Sequence, residues 1–226
     1  MTHVCVVGAG SWGTAVAALV AENTDVVLWA RDPELAAHID TTHENDRYLR
    51  DITLPSNLRA TGDLAAACSG AEIVVVGVPS HGFRAVLTAA AAEISIDALV
   101  VSLSKGVEQE SHLRMTEVIA DVLEGHRPDR IGVLTGPNLA REVAEGQPTA
   151  SVVAIGDPEG ARTLQHVFMT STFRVYTNPD IVGCEIAGAL KNVVAIAAGI
   201  AAGLGYGDNT KATLITRGLA ELARLG

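Results

Sequence analysis

The sequence predicts an α/β fold, a mostly parallel sheet with helices on both faces followed by an all-helical stretch. Three observations carry it. Short β-branched runs alternate with helix-like segments, the pattern of a parallel sheet covered on both sides. A glycine-rich turn, "VVGAGSWG", joins the first run to the first helical segment. Strand signals then stop near Val182, and the remaining residues read as helix.

The elements follow in order. "THVCVVG" reads as the first strand and "SWGTAVAALVAE" as the helix after it. "DVVLWA" is the second strand, and "DPELAAHIDTTH" opens as a helix with Asp32 as N-cap and Pro33 at its first position. "NDRYLRDITLPSNLRAT" reads as irregular with one short strand, and "DLAAACSG" as a short helix ending at Gly70. "EIVVVGVP", "ALVVSLS" and "RIGVLTG" give three more strands, with the helix "FRAVLTAAAAEI" after the first. "ASVVAIG" and "FRVYTN" complete the strands, separated by the helix "PEGARTLQHVFM". The change of texture after the turn "TNPD" divides the chain into residues 1–181, a dinucleotide-binding domain, and 182–226, the start of a helical substrate and catalytic domain.

Composition narrows the function. The chain has 226 residues, 48% hydrophobic and 19% charged, a globular composition. With 26 acids against 16 bases and no Lys/Arg stripe, nucleic acid is not an expected partner. Cys5, Cys68 and Cys184 lie far apart without a CxxC pair, and the histidines have no metal-like spacing. No metal site and a cytoplasmic location are therefore expected. The uncharged segment from Asn192 to Leu204 falls short of the roughly 20 apolar residues that span a bilayer. It reads as a core helix.

Gly8, Gly10 and Gly13 stand in GxGxxG spacing between a strand and a helix, with a second strand following. Gly8 permits the tight turn, Gly10 lets a pyrophosphate approach the backbone, and Gly13 allows close helix–strand packing. The helix N-terminus offers free N–H groups and a partial positive charge to the phosphates. The turn therefore predicts a Rossmann-like dinucleotide site. At the end of the second strand, where an NAD-selective site places an acid, stands "LWARD". The Arg31 guanidinium suits a 2′-phosphate, which favours NADP(H) with NAD(H) possible. The competing reading makes Arg31 a solvated loop residue and Asp32 only a helix cap.

Three groups occupy ligand-facing positions beyond strand ends. Lys105 follows a buried strand in "SLSKG", with Gly106 beside it. Asn138 follows the Gly136-Pro137 turn in "TGPN", which by itself reads as a turn. In "GCEIAGALKNVVAIAAGIAAGLG", helical geometry sets Gly188, Lys191, Asn192 and Ala195 close to one face. There the small residues admit a second surface while an amine and an amide project into it. A desolvated lysine has a lowered pKa and makes a usable proton donor, whereas a snorkelling lysine would only reach for water.

These segments together resemble the NAD(P)-dependent glycerol-3-phosphate dehydrogenases of the bacterial NAD(P)H-linked type. The resemblance runs through "GAGSWGTA", "LWARD", "NDRYL…LPSNLRAT", "VVVGVPSH", "SLSKGVE", "GPNLAREV", "CEIAGALKNVVAIAAG" and "NTKATLITRGLAE". It implies interconversion of dihydroxyacetone phosphate and glycerol 3-phosphate, feeding phospholipid synthesis; a homodimer is expected separately, from the apolar composition of the helical stretch. Residue by residue, it implies Lys191 as proton donor with Asn192 beside it, and Lys105 as a second lysine at the substrate. It also implies Gly136 and Asn138 on the substrate side, and Ser11, Trp12, Arg31, Lys105 and Ala140 with the three glycines at the cofactor. Thr216 and Arg217 face either the cleft or neighbouring helices. The family's helical domain continues past the counterpart of "ELARLG" with an Asp and a Ser/Thr-Arg-Asn segment. This sequence stops before them, so the expectation is cofactor affinity with little turnover by this chain alone. Rival readings are another two-domain NADPH keto- or hydroxy-acid reductase, and a non-catalytic dinucleotide-sensing module.

Overall fold

The computed structural model describes residues 2–225. Met1 and Gly226, the outer bounds of the two expected domains, lie outside the described residues. The first half of the sheet-bearing region runs β1 (Val4–Val7), α1 (Ser11–Ala21), β2 (Val26–Trp29), α2 (Pro33–Thr42), β3 (Glu44–Asn45), β4 (Leu49–Thr53), β5 (Leu58–Thr61), α3 (Leu64–Cys68) and β6 (Ile73–Val76). It continues with α4 (Ser80–Ala90), β7 (Leu99–Ser102), α5 (Met115–Val122), β8 (Ile131–Thr135), α6 (Ala140–Ala144), β9 (Thr149–Ile155), α7 (Pro158–Phe168) and β10 (Phe173–Asn178). Helices α8 (Ile181–Gly203) and α9 (Asp208–Leu225) follow.

Eight strands form one sheet in the order β10-β9-β8-β7-β6-β1-β2-β5. Only the β8–β9 pairing is antiparallel; β10 then runs parallel to β9. The strand alternation builds two core layers. Val4, Val6, Ile73 and Val75 face one layer with Leu164 and Phe168 of α7, while Cys5, Val7, Val74 and Val76 face the other with Phe83 and Leu87 of α4. Because β1 and β6 are buried along their whole length, both faces must be apolar, which is why these strands read as unbroken Val-rich runs.

The α/β architecture expected from the sequence is present, and three local expectations change. Residues 44–61 hold three strands rather than one: β3 and β4 form a small antiparallel ribbon, and β5 joins the main sheet beside β2. Helices α5 and α6 were not foreseen. The N-cap of α5 is Arg114, whose backbone N–H is bonded to Glu117 Oε2 at 2.8 Å, so no Ser, Thr, Asp or Asn marks its start. Finally, α8 is not a covered core helix. It extends over 23 residues, and only Glu185, Gly188 and Ala201 are buried.

The length argument made from Asn192–Leu204 measured only part of that helix. With a mean hydropathy of 1.6 over an 18-residue window, α8 is long and apolar enough to cross a membrane by length and composition. Its N-terminal part is tied to the sheet-bearing region: α8 contacts α9, β8 and β9, and its Glu185 is ion-paired to Arg114.

Candidate functional site

Strand β1 lies between β2 and β6, so the chain leaves it in opposite directions on its two sides. Such a switch point opens a crevice at the carboxyl ends of the strands. A cavity of about 320 Å³ occupies that crevice, running from Gly8 and Gly10 past Gly77 to Arg31 and Arg47. A cavity of about 470 Å³ lies at the opposite ends of the strands, around Asp97 and Arg130. Position relative to the strand ends, rather than size, singles out the first.

The glycines of the turn do separate work. Gly8 sits at φ 119°, and a Cβ there would come within 2.9 Å of the Gly77 carbonyl oxygen. A Cβ on Gly13 would collide with the Gly8 carbonyl, so α1 can approach β1 only with glycine at that place. Gly10 is different: a Cβ there would meet nothing within 4 Å. The backbone at Gly10 thus borders open space, and no side chain caps α1, which leaves its first N–H groups available to an anion. The turn fits a dinucleotide pyrophosphate.

From behind, the turn is held by Asn45, which is fully buried. Its Nδ2 donates to the Ala9 carbonyl at 3.0 Å and to Thr14 Oγ1 at 2.8 Å. At the far end of the cavity, Arg31 is exposed and forms no ion pair among the described residues. Asp32 is fully engaged. One carboxylate oxygen caps α2 through the Glu34 and Leu35 N–H groups, and the other accepts from Arg47 Nη1 at 2.7 Å. The Arg47 hydrogen bond, then the capping bond from Glu34, holds the Asp32 carboxyl below the usual range.

The second half of the site lies next to the first. Ser104, after β7, donates through its hydroxyl to the carbonyl of Val78, a cavity residue. Lys105 follows, with Gly106 at φ 119°, a backbone shape that favours glycine. Lys105 Nζ donates to the Gly136 carbonyl at 3.1 Å. Across from it, a Cβ on Gly188 would come within 3.0 Å of Thr135 Oγ1 and 3.9 Å of Lys105 Cγ, so the glycine admits α8 to the end of β8. Lys191 lies one turn further on and is half-buried. Part of Lys105 remains open to solvent, yet burial of its ammonium, and then the charge of Lys191, lower its pKa. Neither lysine is ion-paired among the described residues. Two cations at one strand end, without a protein carboxylate between them, suit an anionic ligand.

Other predicted residues stand further from this centre. Ser11 and Trp12 begin α1 but do not line the cavity, and the Trp12 ring packs towards Phe173 at a centroid distance of 6.4 Å. Asn138 is turned into the fold: Nδ2 donates to the Ala150 carbonyl at 3.1 Å, and Oδ1 accepts from Ser151 Oγ at 2.8 Å. Its side chain braces the Gly136-Pro137 turn against β9. Ala140 opens α6 and is partly buried against the core. Asn192 is exposed beside Lys191, and Arg217 is exposed and paired with Glu221 at 2.7 Å.

Asn45 and Arg47 lie in the "NDRYL" segment of the resemblance but carried no assigned role there, and the Arg114–Glu185 pair had no sequence signal of its own. The last joins the two parts of the chain: Glu185 accepts from Arg114 Nη1 at 2.7 Å, Thr116 N at 3.0 Å and Thr116 Oγ1 at 2.5 Å.

Fold and cavity together define a Rossmann-type dinucleotide-binding protein whose cofactor crevice ends beside a lysine pair. The family model described as NAD-dependent glycerol-3-phosphate dehydrogenase N-terminus matches residues 3–161, and the corresponding C-terminus model matches residues 180–226. The chain belongs to the NAD-dependent glycerol-3-phosphate dehydrogenase family. It is 54% identical over 219 residues to glycerol-3-phosphate dehydrogenase (NAD(P)+) 2 of Sphingopyxis alaskensis, covering 97% of this chain and 65% of that protein. The crystal structure of glycerol-3-phosphate dehydrogenase from Coxiella burnetii superposes with a TM-score of 0.88 at 36% identity, covering 99% of this chain and 68% of that one. The glycerol-3-phosphate dehydrogenase structure from Saccharomyces cerevisiae gives 0.90 at 32% identity, covering 100% and 70%. The chain thus spans about two thirds of the length of these relatives.

Proposed function

We propose that the chain carries the cofactor site and the lysine pair of an NAD(P)H-dependent oxidoreductase that interconverts dihydroxyacetone phosphate and glycerol 3-phosphate. The observation that carries this reading is the convergence of Lys105 and Lys191, neither of them ion-paired among the described residues, next to the dinucleotide crevice. A bound nicotinamide supplies the hydride. Lys191 donates its proton to the ketone oxygen of the substrate as negative charge develops there. Lys105, steered by the Gly136 carbonyl, holds the substrate and adds a second positive charge. Asn192 orients the substrate beside Lys191, and the turn at Gly136 and Asn138 shapes the floor beneath it.

The cofactor reading assigns the pyrophosphate to Gly8, Gly10, Gly13 and the Ser11–Trp12 start of α1, with Ala140 on the nicotinamide side. It assigns the 2′-phosphate to Arg31, with NADP(H) preferred over NAD(H), because both Asp32 oxygens already accept bonds from the protein. The same reading places the domain boundary between residues 181 and 182, and treats the protein as a cytoplasmic homodimer.

The test reads binding alongside turnover, because the chain spans about two thirds of its relatives' length. Dihydroxyacetone phosphate is expected to bind the NADPH-loaded chain and to lose affinity in Lys105→Ala. Any NADPH oxidation is expected to fall by about 10²–10⁴-fold in Lys191→Ala while NADPH still binds. Preference for non-phosphorylated keto acids, or turnover unchanged in Lys191→Ala, overturns the proposal.

A further inference from the structure

We infer that Arg47 is a cofactor-specificity residue that converts an NAD-type acid position into an NADP-accepting one. The inference deepens the cofactor reading above and rests on the NADP(H) preference stated there. Asp32 stands at the place where a free carboxylate would accept the ribose hydroxyls and repel a 2′-phosphate. Here that carboxylate is closed off by Arg47 Nη1 at 2.7 Å on one oxygen and by the N–H groups that begin α2 on the other. The guanidinium therefore offsets the negative charge of Asp32 at the cavity mouth. Arg47 and Arg31 line the same cavity.

The position of Arg47 is set by the phosphate-binding turn itself. Arg47 lies within a tight turn in which the Tyr48 N–H bonds Asn45 Oδ1 at 3.1 Å and the Asn45 carbonyl at 3.3 Å. Asn45 is the buried amide that grips Ala9 and Thr14. The pyrophosphate turn and the proposed 2′-phosphate clamp are thus joined through one side chain. A guanidinium held this way has lost part of its freedom before the ligand arrives, and its planar fork suits a phosphate better than an ammonium does.

The test is equilibrium binding of NADPH and NADH to this chain, which needs no turnover. Arg47→Ala is expected to weaken NADPH by about tenfold or more, the scale of a lost charge-assisted contact, while NADH is unchanged or tighter. In Arg47→Lys the charge remains and the fork is lost, so an intermediate NADPH affinity is expected. Asp32→Asn in the Arg47→Ala background removes the uncovered carboxylate and is expected to restore part of the NADPH affinity. Equal losses for both cofactors, or no loss, overturn the inference, because they describe a residue that only scaffolds α2. Arg31→Ala separates this failure from that of the underlying reading: NADPH selectivity that falls in Arg31→Ala but survives in Arg47→Ala overturns the role of Arg47 alone. A wild-type chain that binds the two cofactors equally overturns both.

Discussion

At the scale of single residues, three glycines of one motif carry different constraints, and substitution separates them. Gly10→Ala introduces a Cβ into open space at an N-cap with φ −70°, a shape open to alanine. It should cost less than about 1 kcal/mol of stability and still weaken dinucleotide binding, because the methyl group occupies the phosphate's place. Gly13→Ala drives a Cβ into a backbone carbonyl. It should destabilise the fold by about 3 kcal/mol or more, measured by urea denaturation. Similar effects at both positions would contradict this division of labour. Lys105 makes a prediction in pH. Its folded pKa lies below the ordinary 10.5, so between the two values the unfolded chain binds more protons. Stability from this group therefore rises with pH in that window, up to 10.5, and its penalty is fully present below the folded pKa. A Lys105→Met variant should lack this rise in a pH series of denaturation midpoints, and a wild-type-like rise in the variant would refute the assignment.

At the scale of elements, the site depends on how α8 is held against the sheet. Gly188 allows its approach, and Glu185 fixes it by satisfying the start of α5. Arg114 belongs to the returning leg of the loop that carries Lys105, since Val107 and Arg114 are bridged in antiparallel fashion. The Arg114–Glu185 pair therefore ties the segment bearing one lysine to the helix bearing the other. Removing Glu185 leaves Arg114 its second partner, Glu117 at 2.9 Å, but takes the acceptor from Thr116 N and Oγ1, so Glu185→Ala should cost about 2 kcal/mol. Glu185→Gln keeps the contacts to Thr116 in part and should cost less. A loss in Glu185→Ala indistinguishable from an exposed control such as Glu221→Ala, in chemical denaturation, would show that α8 is held by packing alone.

At the scale of the whole molecule, cofactor binding should act as a stabiliser of the entire sheet-bearing region, because the crevice is built from β1, β2 and β6 together. NADPH at 100 times its dissociation constant should add about 2.7 kcal/mol. A thermal melt of the chain with and without NADPH checks this, and the shift should persist in Lys191→Ala but shrink in Arg31→Ala. Much of this organisation was legible in the residue order. The Val-rich strands, the Gly8–Gly13 turn, the Asp32-Pro33 helix start and the change of texture after "TNPD" are local signals, each set by residues a few positions apart. Lys191 was conspicuous for the same reason, a charge in a small, apolar run. What the sequence by itself determined was therefore the main alternation of strand and helix and the glycine spacing between β1 and α1, while the ribbon of β3 and β4 and the helices α5 and α6 carried no local signal. Only the tertiary structure decided that Asp32 is occupied by Arg47, that Asn138 turns inward, that β5 closes the sheet, and that Glu185 anchors α8. Each of these rests on contacts between residues brought together by folding, from 12 or more positions apart, and a carboxylate's role depends on which donor reaches it first.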